Sequence, residues 1–114
     1  MRLEYVRGIT GLKVLHLNNT HITDARSEYL WELINLEGLS LRGTQITDGG
    51  LQNLKQLKNL EMQHFDNTRV TGRGLKHLNK CADLTVLGLA DSHVTDAGLE
   101  HVRHLTGLSG LDLP

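Results

Sequence analysis

Aromatic side chains are scarce in this chain of 114 residues: Tyr5, Tyr29, Trp31 and Phe65 make up 4% of it. A core with so few rings must be assembled from many similar aliphatic contacts, and leucine supplies most of the apolar content. Cysteine is rarer still. Cys81 has no second cysteine to bond, which excludes an internal disulfide and suits a reducing, cytoplasmic setting. Nothing at Met1 resembles a charged segment followed by an apolar stretch and a cleavage site, so no secretory leader is expected. No run approaches the ~18 consecutive apolar residues of a membrane helix, and a soluble protein is expected. Charge of one sign is lacking too, since twelve basic and thirteen acidic residues give a formal net charge of -1. Without a basic excess there is little to drive binding to a phosphate backbone, and nucleic acid is not an expected partner. The length leaves room for one domain, 1–114, and none for a second.

What the sequence does have is leucine at a fixed period. Leu12, Leu36, Leu60, Leu84 and Leu108 follow one another at 24 residues, with no insertion to break the register. Leu17, Leu41, Phe65, Leu89 and Leu113 keep the interval, as do Thr20, Thr44, Thr68 and Ser92, then Ile22, Ile46, Val70 and Val94, and Thr23, Thr47, Thr71 and Thr95. Later in the unit come Leu51, Leu75 and Leu99, next Leu30, Leu54, Leu78 and Val102, and last Leu33, Leu57, Cys81 and Leu105. The repeats are 12–35, 36–59, 60–83 and 84–107, flanked by partial repeats 1–11 and 108–114.

Each unit contains two periods. Leu84, Leu87 and Leu89 end in alternation, which predicts a strand over about 85–89. Leu99, Val102 and Leu105 recur at intervals of three, the inward stripe of a short helix opened by Thr95 or Asp96 as its N-cap. One unit cannot bury its own apolar face. Successive strands laid side by side in a parallel sheet, with the helices opposite, bury one continuous core in a curved α/β stack.

The pattern Leu-x-x-Leu-x-Leu-x-x-Thr-x-Ile-Thr-Asp-x-Gly-Leu resembles the leucine-rich repeat family, in particular its bacterial and ribonuclease-inhibitor-like kind, and the likeness covers the whole chain. The resemblance implies a right-handed solenoid whose concave parallel sheet binds other macromolecules, usually proteins, with short helices on the convex side. It implies no shared reaction and no cofactor. Family members commonly carry Asn or Cys where this chain has Thr20, Thr44, Thr68 and Ser92. A ladder of hydroxyls is expected to satisfy backbone groups of neighbouring turns there.

With the Leu15 and Leu17 positions facing inward, three columns remain for the concave surface. Val14, Gly38, Met62, Val86 and Gly110 form the first; His16, Ser40, His64, Gly88 and Asp112 the second; Asn18, Arg42, Asp66 and Ala90 the third. The candidate binding face is His16, Asn18, Ser40, Arg42, Met62, His64 and Asp66, with Arg42, His64 and Asp66 as cross-strand neighbours at its centre. The bland alternative is an exposed Arg42–Asp66 ion pair worth less than about 1 kcal/mol. His16 and His64 invite a metal, but they stand two strands and so roughly 10 Å apart. A chelate needs both rings within about 2 Å of one ion, so no metal is expected. His16, Ser40 and His64 can also be drawn as a hydrolase constellation. Ser40 lacks a visible oxyanion hole or strained turn, and catalysis is not expected.

Several positions break the pattern. Gln63 falls in the column of Leu15, Leu39, Leu87 and Leu111. Buried, its amide needs partners or costs about 1–3 kcal/mol. A bulge would instead turn Met62 inward and Gln63 outward. Ser27 replaces the leucine of Leu51, Leu75 and Leu99 on a segment that also carries Tyr29 and Trp31. Either an aromatic fills the missing volume, or the pair forms an exposed second contact surface. Cys81, in a leucine column, is expected to be buried and unreactive. The ends are in phase with each other. Leu3, Leu15 and Leu17 at one end and Leu111 and Leu113 at the other are expected to form apolar end faces, open to head-to-tail stacking of copies unless flanking repeats of a longer protein cover them. A protein-interaction module is therefore the leading expectation, and a self-assembling unit the alternative.

Overall fold

The computed structural model describes residues 3–52 and 54–114; Met1 and Arg2, where the opening partial repeat begins, and Asn53 lie outside. Each repeat contributes one short strand: β1 (Val14–His16), β2 (Gly38–Ser40), β3 (Met62–His64), β4 (Val86–Gly88) and β5 (Gly110–Asp112). They form one parallel sheet in chain order. Leu15 lies beside Leu39, Leu39 beside Gln63, Gln63 beside Leu87 and Leu87 beside Leu111, so every residue neighbours its own counterpart. The strands are shorter than the sequence predicts because the chain turns soon after each one. Asn19, Gly43, Asn67 and Asp91 all take a positive φ there. Asn, Gly and Asp tolerate that left-handed geometry better than other residues do.

The opposite side is built from short helical pieces, nearly all of the tighter 3-10 kind: Leu3–Val6, Asp24–Tyr29, Asp48–Leu51, Leu54–Gln56, Arg73–Lys80 and Val102–His104. Among the described residues only Asp96–Leu99 is an α-turn. An apolar residue every third position explains this. Three residues per turn keep Leu75, Leu78 and Cys81, or Leu51, Leu54 and Leu57, in line on one face. Leu54, Leu57, Leu60, Phe65, Leu78 and Leu87 are fully enclosed between the two sides. Among the described residues no helix is long and apolar enough to cross a membrane.

The repeats are also joined by carboxylates whose role the sequence pattern did not reveal. Asp24 accepts the backbone N–H of Thr47 at 2.9 Å and its hydroxyl. Asp48 does the same for Thr71, with N–H distances of 3.1 and 3.3 Å, and also accepts the Gly74 N–H at 3.1 Å. One repeat's acid thus caps donors at the start of the next repeat's helical segment. Gly72 holds the corresponding position one repeat later, where the Thr95 N–H turns to the Thr71 carbonyl instead. There the backbones nearly touch: a Cβ on Gly98 would lie 2.6 Å from the Gly72 Cα. Thr95 caps its own segment as the sequence suggests, accepting from the Gly98 N–H at 3.3 Å.

Several expectations are corrected. The hydroxyls of Thr20, Thr44 and Thr68 bond within their own turns, to the carbonyls of Leu17, Leu41 and Phe65, and not to neighbouring turns. A carbonyl three residues back is closer to each hydroxyl than the next repeat. Trp31 is buried and Tyr29 is partly covered, with Arg7 over its ring at 5.3 Å. With the indole buried, the two aromatics do not form an exposed second surface. Leu3 and Leu17 are buried while Leu111 and Leu113 are 40% and 50% exposed, so the two end faces are not alike. The Leu3–Val6 turn packs against the Asp24–Tyr29 piece and buries Leu3 there, while Leu15 is only partly buried. Cys81 is buried, donates toward the Leu57 carbonyl at 3.5 Å, and has its thiol pushed up to about 11 by desolvation.

At Gln63 no bulge forms. The side chain is fully buried in register, its Nε2 donates to the His64 carbonyl at 3.2 Å, and its Oε1 has no partner. Met62 stays outward and 41% exposed. Because an unsatisfied buried carbonyl is costly and leucine suits the column, Gln63→Leu is expected to stabilise the fold by about 1–2 kcal/mol. A lower midpoint in urea would show that Oε1 is satisfied in solution.

Candidate functional site

The sheet's outer face is divided lengthwise. Along its first column, Val14 and Met62 lean together across Gly38: a Cβ there would lie 3.7 Å from Val14 Cγ2 and 3.6 Å from Met62 Cε. Val86 continues the strip over Gly110. This edge of the hollow is therefore apolar and partly exposed, with Val14 at 48%.

Across the other two columns lies a polar cluster. Asp66, just beyond β3, is largely buried, and its Oδ1 stands 3.5 Å from Arg42 Nε and 3.3 Å from His64 Nδ1. For the His64 contact to be a hydrogen bond, the Nδ1–H must donate to the carboxylate, which orients the ring against Asp66. Arg42 retains its terminal nitrogens for a partner, its side chain being about half exposed at 49%. The arrangement depends on a residue the sequence pattern passed over. A Cβ on Gly88 would collide with Asp66 and lie 2.6 Å from His64 Nδ1, so glycine leaves the space in which both side chains rest.

Not all the candidates join this cluster. Ser40 is buried and its hydroxyl donates to Asn18 Oδ1, which covers it. That corrects its placement on the open face and leaves no free hydroxyl between His16 and His64. Asn18 is exposed beside Arg42, and His16 is exposed on β1, apart from the cluster. Among the described residues no three His, Cys, Asp or Glu side chains are grouped to hold a metal ion.

No protein-family model and no curated protein matches the chain. Solved structures do. Internalin C2 of Listeria monocytogenes superimposes with a TM-score of 0.82 at 30% identity, over 95% of this chain and 44% of its own. A leucine-rich repeat protein of Leptospira interrogans gives 0.76 at 23% identity, over 96% and 27% respectively. The chain belongs to the leucine-rich repeat family. The tropomodulin C-terminal domain of Caenorhabditis elegans has the same fold, with a TM-score of 0.72 at 16% identity over 99% of this chain and 78% of its own. This leucine-rich repeat chain spans under half the length of internalin C2.

The geometry makes Gly88 a test of the cluster. Gly88→Ala is expected to keep the fold at a cost of about 1 kcal/mol and to displace Asp66 from Arg42 and His64. The imidazole nitrogen resonances of His64 should shift; if they match the parent protein, the cluster does not rest on Gly88.

Proposed function

We propose that this leucine-rich repeat chain is a non-enzymatic protein-interaction module that holds its partner in the hollow of the sheet. The observation that carries the reading is the pre-arranged Arg42–Asp66–His64 cluster beside the exposed Val14–Met62 strip. Interfaces gain most from an apolar anchor next to an arginine whose position is already fixed, because little side-chain freedom is then lost on binding. The ion pair contributes little to folding, below about 1 kcal/mol with Arg42 half exposed, so its arrangement has more to offer a partner than the fold. Ser40, buried under Asn18, does not present its hydroxyl to the hollow. In affinity capture, the double variant Arg42→Ala, Asp66→Ala should lose partners retained by the parent chain, with affinity weakened by about 1–2 kcal/mol. An unchanged set of captured proteins would reject the concave site.

A second reading is self-assembly, favoured by the half-exposed Leu111 and Leu113 beside the outer edge of β5. An unpaired parallel edge backed by leucines is suited to receive another strand. Light scattering should then show mass rising with concentration, and Leu113→Lys should suppress the rise. A strict monomer over the whole range removes this reading and leaves the first intact.

A further inference from the structure

The near-zero net charge conceals a segregation of charge along the stack. Residues 49–82 carry six basic and two acidic side chains, while residues 83–114 carry one basic and five acidic. The same helical-side column reads Glu28, Gln52, Lys76 and Glu100 in successive repeats, and another reads Glu32, Gln56, Lys80 and His104. Sign therefore changes along the convex surface, and the positive zone is confined to the middle.

Pairing separates the six cations of residues 49–82, Lys58 and Arg69 included, from the others among the described residues. Arg7, Lys13, Arg26, Arg42 and Arg103 each have a carboxylate partner. Lys55, Arg73, Lys76 and Lys80 are exposed, and among the described residues they have none. They lie on two adjoining helical pieces, Leu54–Gln56 and Arg73–Lys80, which pack together. His77 sits among them. Its pKa is lowered, first by burial and then by the positive charges of Lys76 on its own piece and Lys55 on the adjoining one. Unpaired like charges held close together repel one another, and an anion laid across them relieves that repulsion.

We infer that the convex patch of Lys55, Arg73, Lys76 and Lys80 is a second docking site, for a short acidic segment of a partner protein. The surroundings decide among anions. Arg73–Lys80 as a 3-10 helix is only about 14 Å long at ~2.0 Å per residue. An extended peptide at ~3.3 Å per residue spans it with roughly four or five residues. A duplex or an anionic bilayer would extend along the molecule's 37 Å axis and press against Glu28 on one side and Glu100 on the other. Single-stranded nucleic acid would want broad aromatic stacking surfaces, and no Phe, Tyr or Trp occurs after the buried Phe65. The convex site is separate from the concave one, so either stands if the other fails.

The test is fluorescence anisotropy with a short fluorescein-labelled glutamate peptide at low salt. Saturable binding that weakens as salt is raised is expected, reduced roughly three- to tenfold by the double variant Lys76→Gln, Lys80→Gln. Two single variants with equal charge change complete it. Lys76→Glu should weaken the peptide, whereas Arg69→Glu, an exposed cation on a turn away from the helical face, should leave it nearly unchanged. Equal loss in both would reduce the binding to net charge and overturn the site. Stronger binding of a DNA duplex or of phosphatidylserine vesicles at the same salt would overturn the acidic segment as its occupant.

Discussion

Backbone hydrogen bonds tie each strand to the strand 24 residues further on, with no change of register anywhere in the sheet. A slip of one residue would send every inward leucine of a strand to the solvent face, so the period is held tightly by burial. The carboxylates of Asp24 and Asp48 repeat the constraint on the opposite side, where they hold Thr47 and Thr71. Between these two seams the column, rather than the residue, becomes the structural unit. A side chain in the interior meets mainly its own counterparts above and below.

That geometry explains which irregularities the stack absorbs. Ser27 replaces a leucine in its column, and its buried hydroxyl is satisfied within the same repeat by the Asp24 carbonyl. Gln63 has no such relief. Its neighbours Leu39 and Leu87 are full-sized and apolar, and the amide finds only the adjacent His64 carbonyl. The strand does not bulge to free it, because a bulge would displace both flanking ladders.

Outward columns face no packing requirement and can vary from repeat to repeat, which is where the surfaces of this leucine-rich repeat chain arise. On the concave side the sequence of glycine, methionine and valine makes one apolar edge, and a glycine at 88 makes room for an aspartate two strand positions away from its own backbone neighbour. On the convex side the same freedom gathers cations in the middle repeats and leaves acids at the far end. Both surfaces are written across repeats, so neither can be recognised within any single one.

Sequence periodicity by itself determined the parallel sheet, its strand order, the inward columns and the spacing of three that becomes 3-10 structure, because each follows from which residues must leave water. It also placed Arg42, His64 and Asp66 side by side, since register follows from the period. Only the tertiary structure decided where side chains of the remaining columns point. Asp24 and Asp48 carry no role in the periodic pattern until the next repeat's Thr47 and Thr71 are seen within reach. Ser40 reads as exposed until Asn18 covers it, Trp31 as either filler or anchor until its burial is seen, and Leu3 and Leu113 as alike until one is buried and the other half exposed. The physical reason is common to all of them. Periodicity reports the direction of a Cα–Cβ bond, whereas burial and pairing depend on the size and reach of neighbours 24 residues away, and those are specified only once the repeats are stacked.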